Sequence, residues 1–340
     1  MVVLGLGEVG QTVDERDRLA EGGELELADE GPVDLLPMLR RSHAGKYDPQ
    51  DRARSRQASA VNSTASLLDR SRKQRPATEL LCEYVFRPLA QLVVLALLPL
   101  RVPPTAVILA STAAGLAAAG ELWHGNLVVA ALVLQLKTVL DNADGQLARA
   151  SGRVSVLGRY LDSESDLLVD AALFAAIGHV TGRPWLALAS FLSLTLVLSL
   201  DYNLERLYRD LHGTGFDALP AATGLAGLLR RVYQLVYWPH DRLIERLVRW
   251  RVGSDTRDVR LAYHDRATLT VLANLGLSTQ LAVLGVLLAI GRPGPYCWLV
   301  VGLAAATAPL LLRREVLASR TRRLEAGGSW HRSPSHRDER

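Results

Sequence analysis

The sequence predicts an all-α protein: a polytopic helical bundle of six transmembrane helices, with one further helix on the cytosolic side. Three observations predict it. Hydrophobic residues make up 49% of the 340-residue chain, yet they are concentrated after Val102. The runs Val102–Gly120, Pro184–Leu200, Ala267–Gly291 and Pro293–Leu312 contain no charged residue. Each reaches or approaches the roughly 20 apolar residues that a bilayer-crossing helix needs, so an ordinary soluble domain is excluded.

Residues 1–78 form the first segment, polar and partly disordered. Its opening Met-Val-Val-Leu lacks basic residues ahead of a short apolar run and so does not read as a secretory signal. Gly5-Leu-Gly7-Glu-Val-Gly10 spells a dinucleotide-binding fingerprint. The βα units that would complete such a fold do not follow, which leaves a strand and turn, or a true start at Met38. Between residues 40 and 75, ten Lys or Arg face three Asp, either a basic arm for anionic lipid or a solubilising linker.

Residues 79–103 hold a juxtamembrane helix. Only thirteen uncharged residues separate Arg87 from Arg101, too few to span, so the helix lies at the interface or packs against the first span. The six-span domain covers 104–314, with spans near 104–121, 125–147, 157–181, 184–205, 266–290 and 294–313. A cytosolic insert occupies about 212–265 and a basic tail 315–340. Eleven Arg between 206 and 266 and eight after Leu312 face only Arg183 and Arg292 in the opposite loops. The positive-inside bias therefore puts both termini in the cytoplasm. Within the insert, Leu243, Ile244, Leu247, Val248 and Trp250 recur at helical spacing, a helix lying on the membrane or packed on the protein itself. Cys82 and Cys297 lie far apart in unlike surroundings, which excludes a disulfide framework and a CxxC site.

The chemistry is concentrated where the second and third spans meet. Asp141 and Asp144 are three apart at the end of one, and Asp162 and Asp166 are four apart at the start of the next, so each pair shares a helix face. Eight residues between Arg149 and Gly158 return the chain as an antiparallel neighbour, and the pairs converge. A carboxylate at the centre of a membrane helix costs about 2.5–3.5 kcal/mol on insertion scales. Lys137, one turn before Asp141, and Arg149 offset only part of four negative charges. One or two divalent cations complete the site, and all-oxygen ligation favours Mg2+ or Mn2+ over zinc. Gly145, Ala148 and Gly158 keep the helix surfaces open beside the acids, either for a phosphorylated ligand or for tight helix packing.

These residues fill a known pattern. Asp141, Asp144, Gly145, Ala148, Arg149, Gly158, Asp162 and Asp166 resemble the signature of the CDP-alcohol phosphotransferases at all eight fixed positions and with the family's spacing. The resemblance covers roughly residues 79–314. It implies an integral membrane enzyme, with its active site on the cytoplasmic side, that transfers a substituted phosphate from a CDP-linked alcohol such as CDP-diacylglycerol to an acceptor hydroxyl and releases CMP in phospholipid biosynthesis. It further implies that Asp141, Asp144 and Asp162 ligate two metal ions, and that Asp166 is the general base and shares a metal. Gly145, Ala148 and Arg149 would line the CDP site with Gly158 facing them, and the chain would be a homodimer in the membrane lipid with no nucleic-acid partner. Thr105 departs from the pattern, since relatives often have Asn after the proline there. Leu67-Leu68, Ser71-Arg72-Lys73 and Arg87-Pro88 resemble relatives with inositol-phosphate acceptors.

Other residues are open. His179 suits packing, Asp170 continues the Asp162–Asp166 face, and Arg206, Arg209, Arg230 and Arg231 are either acceptor-phosphate ligands or cytosolic-side charge. A cation-binding membrane transporter is the alternative from another class, and it requires polar residues through the full bilayer, which the sequence lacks outside one half of spans two and three.

Overall fold

The computed structural model describes residues 75–215 and 223–328, in which every regular element is helical. The fingerprint at Gly5, the acidic and basic stretches before Arg75 and the end of the basic tail lie outside the described residues.

A π-helical turn at Cys82–Phe86 leads into α1, Arg87–Leu97, with Pro88 in its first turn, where a missing N–H costs nothing. Ala90 and Val94 of α1 pack on Val107, Ala143 and Leu147 of the next two helices. The segment packs chiefly on the second expected span, with Val107 of the first in the same cluster. Its other face, Leu89, Leu92 and Leu95, is apolar and exposed.

Four long helices follow: α2 Pro104–Trp123, α3 Leu127–Ala150, α4 Val156–Thr181 and α5 Pro184–Leu211. Their starts and stops are chemically marked. Proline opens α2 and α5, Ser155 Oγ accepts the Gly158 N–H at the head of α4, and Gly182 closes α4 in the left-handed conformation at φ 65°. Small residues bring the helices close. A methyl group on Gly115 of α2 would stand 2.6 Å from both γ-carbons of Val169 on α4. This approach seats the acidic turns of α3 and α4 beside one another.

The expected fifth span, 266–290, is broken. It consists of α9, Arg266–Ala273, and α10, Leu277–Ala289. Asn274 fills the break, donating to the Thr78 and Thr270 carbonyls at 2.9 and 2.7 Å and accepting the Leu80 N–H at 2.9 Å. Gly276 keeps the passage narrow, since a Cβ there would lie 2.8 Å from the Ala273 carbonyl oxygen. A search for charge-free runs registers none of this, because Asn274 and Gly276 carry no charge.

The insert is structured over its described part, as α6 Gly224–Val236, α7 Trp238–Val252 and α8 Arg257–Tyr263. In α7, Ile244, Val248 and Val252 are buried against Val259, Tyr263 and Leu204, while Leu243, Leu247 and Trp250 are exposed. The helix therefore packs on the protein through one apolar face and presents a second outward. The final helix, α11, runs Gly294–Gly328 and continues well past the expected end of the sixth span. At 1.5 Å per residue its 35 residues extend about 52 Å, against a hydrocarbon core of about 30 Å. Its projecting end is tied to the insert by Arg251–Glu315 at 2.8 Å and Arg322–Asp255 at 2.5 Å.

Pro104–Trp123, Pro184–Leu211, Arg257–Ala289 and Gly294–Ala326 are long and apolar enough to cross a membrane. The remaining long helices, α3 and α4, are those bearing the buried acids. Both cysteines are buried and free.

Two outcomes test this packing. Gly115→Ala forces α2 from α4 and should destabilise by about 1–3 kcal/mol, seen as a lower thermal midpoint in detergent. Val169→Ala in the same chain should restore most of it, and an unchanged midpoint in the single variant would show that the two helices part freely. The second concerns His264, which is buried and accepts a hydrogen bond from Arg314 at 3.0 Å. Burial and then the Arg314 charge push its pKa down from 6.5 to about 3. The unfolded chain therefore takes up the proton first, and stability should decline as pH falls from about 6.5 toward 3. His264→Gln should flatten that decline in pH-dependent melting curves.

Candidate metal centre

Asp141 and Asp144 lie on the last turns of α3, and Asp162 and Asp166 on the second and third turns of α4. The five-residue link 151–155 makes the helices antiparallel, helped by Gly152 at φ 67°. One carboxylate oxygen from each of Asp141, Asp144 and Asp162 lies within 4.8 Å of the others. The three side chains, from two helices, thus meet at one point.

Asp166 sits deeper. Its Oδ1 accepts from Lys137 Nζ at 2.6 Å, and the same ammonium reaches Asp141 Oδ1 at 2.8 Å. Lys137 is only 1% exposed. Pairing with Asp141 follows from their spacing of one helical turn, but the bridge to Asp166 on the neighbouring helix does not. Ser111 of α2 adds a hydroxyl 3.4 Å from the Lys137 carbonyl and 3.5 Å from Asp141 Oδ1.

The donor set fits a hard divalent cation. It is composed of carboxylates alone, and both Asp144 Oδ2 and Asp166 Oδ2 are buried with no hydrogen-bond donor. Such oxygens in an apolar bundle are strongly penalised unless a cation meets them. One ammonium against four carboxylates leaves the cluster short of positive charge.

A cavity of about 140 Å3 opens beside the three aspartates. Gly145 and Arg149 are on its wall, whereas Ala148 and Gly158 are not. Gly145 has a definite steric role, since a Cβ there would stand 3.2 Å from Arg149 Nη1, so the missing side chain lets the guanidinium fold over the helix. Gly158 serves the helix start, where a Cβ would come within 3.1 Å of the capping Ser155 hydroxyl.

Sequence reasoning missed part of this wall. Arg75 and Arg87 reach it from the juxtamembrane segment, and Asp201 and Glu205 from α5, with Ser278 from α10. Arg75 is held by Glu79 at 3.4 Å and Glu205 at 3.7 Å, and Arg87 pairs with Glu83. Asp201 and Glu205 were visible as two acids one turn apart at the end of an apolar run, the same signal that marks Asp162 and Asp166. Arg75 and Arg87 gave no such signal, since only the fold brings them to α3.

Of the open residues, His179 stacks on Trp123 at 3.9 Å, a packing role. Arg206 and Arg209 pair with Glu245 and Glu205. Asp170 is buried on the same face of α4 as Asp166. Tyr237, from the insert, comes near both. Its burial and the carboxylates of Asp170, Asp166 and Glu164 hold its hydroxyl above the ordinary phenol range, so it remains a neutral donor.

Apolar helices of spanning length around a buried all-carboxylate cluster define an integral membrane protein with a candidate divalent-metal centre. Residues 89–248 match the family described as CDP-alcohol phosphatidyltransferase. The chain is 35% identical over 107 residues to the archaetidylinositol phosphate synthase of Pyrococcus horikoshii, covering 32% of this chain and 55% of that protein. It is 32% identical over 112 residues to the Aeropyrum pernix protein of the same name, covering 33% and 58%. It is 33% identical over 103 residues to the bifunctional IPC transferase and DIPP synthase of Thermococcus kodakarensis, covering 30% and 24%. The matched region thus spans between a quarter and rather more than half of these relatives.

Replacing Lys137 with Met leaves Asp141 and Asp166 buried without their shared cation, a loss of about 3–5 kcal/mol for a broken buried pair. The variant's melting point in metal-free detergent should fall, and added Mn2+ should raise it by more than in the wild type, because the site is then more negative. Equal Mn2+ responses in the two proteins would show that Lys137 and the metal do not share these carboxylates.

Proposed function

We propose that the protein is a membrane phosphotransferase that moves a substituted phosphate from a CDP-linked alcohol to the hydroxyl of an acceptor and releases CMP. The observation that carries this is the convergence of Asp141, Asp144 and Asp162 within 4.8 Å beside a polar cavity, in a segment of this family. Asp141, Asp144 and Asp162 hold Mg2+ or Mn2+, in one or two ions, with Asp166 at the margin of the set. Bound there, the cations neutralise charge on the pyrophosphate and orient its phosphorus.

The chain's own residues supply the rest. Asp166 is the general base, taking the proton from the acceptor hydroxyl through an oxygen that no donor in the protein occupies. Lys137 keeps Asp166 turned toward Asp141. Arg149, lying over Gly145 on the cavity wall, meets the donor's phosphates from the α3 side. Arg75 and Arg87 bring positive charge to the opposite wall. An inositol-phosphate acceptor is the reading favoured by the names of the archaeal relatives, with a CDP-linked lipid alcohol as donor. The six-span arrangement, the boundaries at 78, 103 and 314, the cytoplasmic placement of the site and both termini, and the homodimer complete the proposal. No observation favours the transporter.

The test is release of CMP by purified protein supplied with Mg2+ or Mn2+, a CDP-alcohol and a panel of acceptors, with lipid products read by mass spectrometry. Asp166→Asn should reduce turnover by at least about 100-fold, the scale of a lost general base, while nucleotide binding survives. Asp141→Asn should raise the metal concentration required. Full activity in both variants would overturn the assignment.

A further inference from the structure

The positive-inside pattern places residues 212–265 in the cytosol, but α6 does not have the surface of a water-exposed helix. Leu225, Leu228, Val232 and Leu235 are 59%, 57%, 40% and 79% exposed, and their spacing of three, four and three aligns them in one stripe. The reverse face is fastened to the bundle. Leu229, Tyr233 and Val236 pack with Tyr160, Val156 and Leu167 of α4, and the rings of Tyr160 and Tyr233 are 6.1 Å apart. At the corner with α7, Asp241 accepts hydrogen bonds from the Tyr233 hydroxyl at 2.6 Å and from Asn203 of α5 at 2.7 Å.

These contacts fix a depth. The N-terminal turns of α4 are beside Tyr233, and Tyr237, one turn further on, is within electrostatic reach of Asp166 and Asp170. Asp170 is fourteen residues into α4, about 21 Å along its axis. The helix α6 therefore descends beside α4 toward the level of the buried acids. Its outward stripe continues the lipid-facing side of the bundle, where Leu168 of α4 is likewise exposed.

We infer that α6 is embedded in the leaflet that houses the acidic cluster, with Leu225, Leu228, Val232 and Leu235 among the acyl chains of an anionic lipid surface. Arg231 flanks the stripe and Arg242 lies 3.8 Å over the Trp238 ring at the corner, a rim of positive charge and indole that suits the headgroup layer. A second copy of the chain is a poorer occupant. A two-fold contact through this stripe would bring the exposed Arg231 on its flank toward its own counterpart, whereas anionic headgroups complement it. In this arrangement α6 is a lipid-facing wall beside Asp166 and Asp170. The inference depends on the membrane placement of the bundle and is independent of the transferase reading.

Site-directed spin labelling of the full chain tests it. Single cysteines replace Leu225, Leu228, Val232 and Leu235, with Arg231→Cys for comparison, in a Cys82→Ala, Cys297→Ala background. If that background does not fold, the native chain serves, provided its two buried thiols take up no label. In vesicles of phosphatidylcholine and phosphatidylglycerol, collisions with dissolved oxygen relative to a water-soluble nickel chelate should be several-fold higher at the four stripe positions than at 231. Nickel access at the stripe equal to that at 231 would place α6 in water and overturn the inference. Dipolar broadening between labels at the stripe would assign the face to a second copy and overturn it as well.

Discussion

Four aspartates converge inside an apolar bundle, and the rest of the structure is arranged around neutralising them. Desolvated carboxylates that share a site repel one another and lose the water that would screen them. The protein itself supplies one fully buried ammonium, Lys137, bridging Asp141 and Asp166 across two helices. That bridge fixes the relative rotation of α3 and α4. It leaves Asp144 and Asp162 with Asp141 facing the cavity, as a cluster that could hold a divalent cation beside the arginines of the wall. Small residues serve the same end, since Gly115 lets α2 approach Val169 and places Ser111 against the Lys137 turn.

The match of residues 89–248 to the CDP-alcohol phosphatidyltransferase family and this electrostatic arrangement fall on the same stretch of the chain. The geometry distinguishes their contributions. Three aspartates share a point, Asp166 is set back on the lysine, Arg149 lies over Gly145, and Gly158 belongs to the cap of α4. The helices outside the bundle proper act as scaffolding for this centre. The projecting end of α11 carries the insert through Arg251–Glu315 and Arg322–Asp255, and the insert in turn presses Tyr233 and Tyr237 against α4.

Much of the site was legible because its chemistry is costly in its setting. Acids at helical spacing in apolar sequence have few explanations, and Asp141, Asp144, Asp162 and Asp166 stand out for that reason. Asp201 and Glu205 carried the same signal at the end of α5. Arg75 and Arg87 were not legible as site residues, because arginines beside a membrane segment are common and only the packing of α1 on α3 gives these two a cavity to line. The broken fifth span was invisible for a related reason. Asn274 and Gly276 leave the run free of charge, and the hydrogen bonds that stabilise the break come in part from Thr78 and Leu80, nearly two hundred residues away.

The sequence by itself determined the helical class, the apolar stretches and the residues able to hold a cation, since these follow from local spacing and from transfer of side chains into lipid. Tertiary structure alone decided which carboxylate the lysine holds back, which arginines reach the cavity, and where α6 lies against the bundle. Those depend on contacts between segments distant in the chain, whose distances and angles no local pattern encodes.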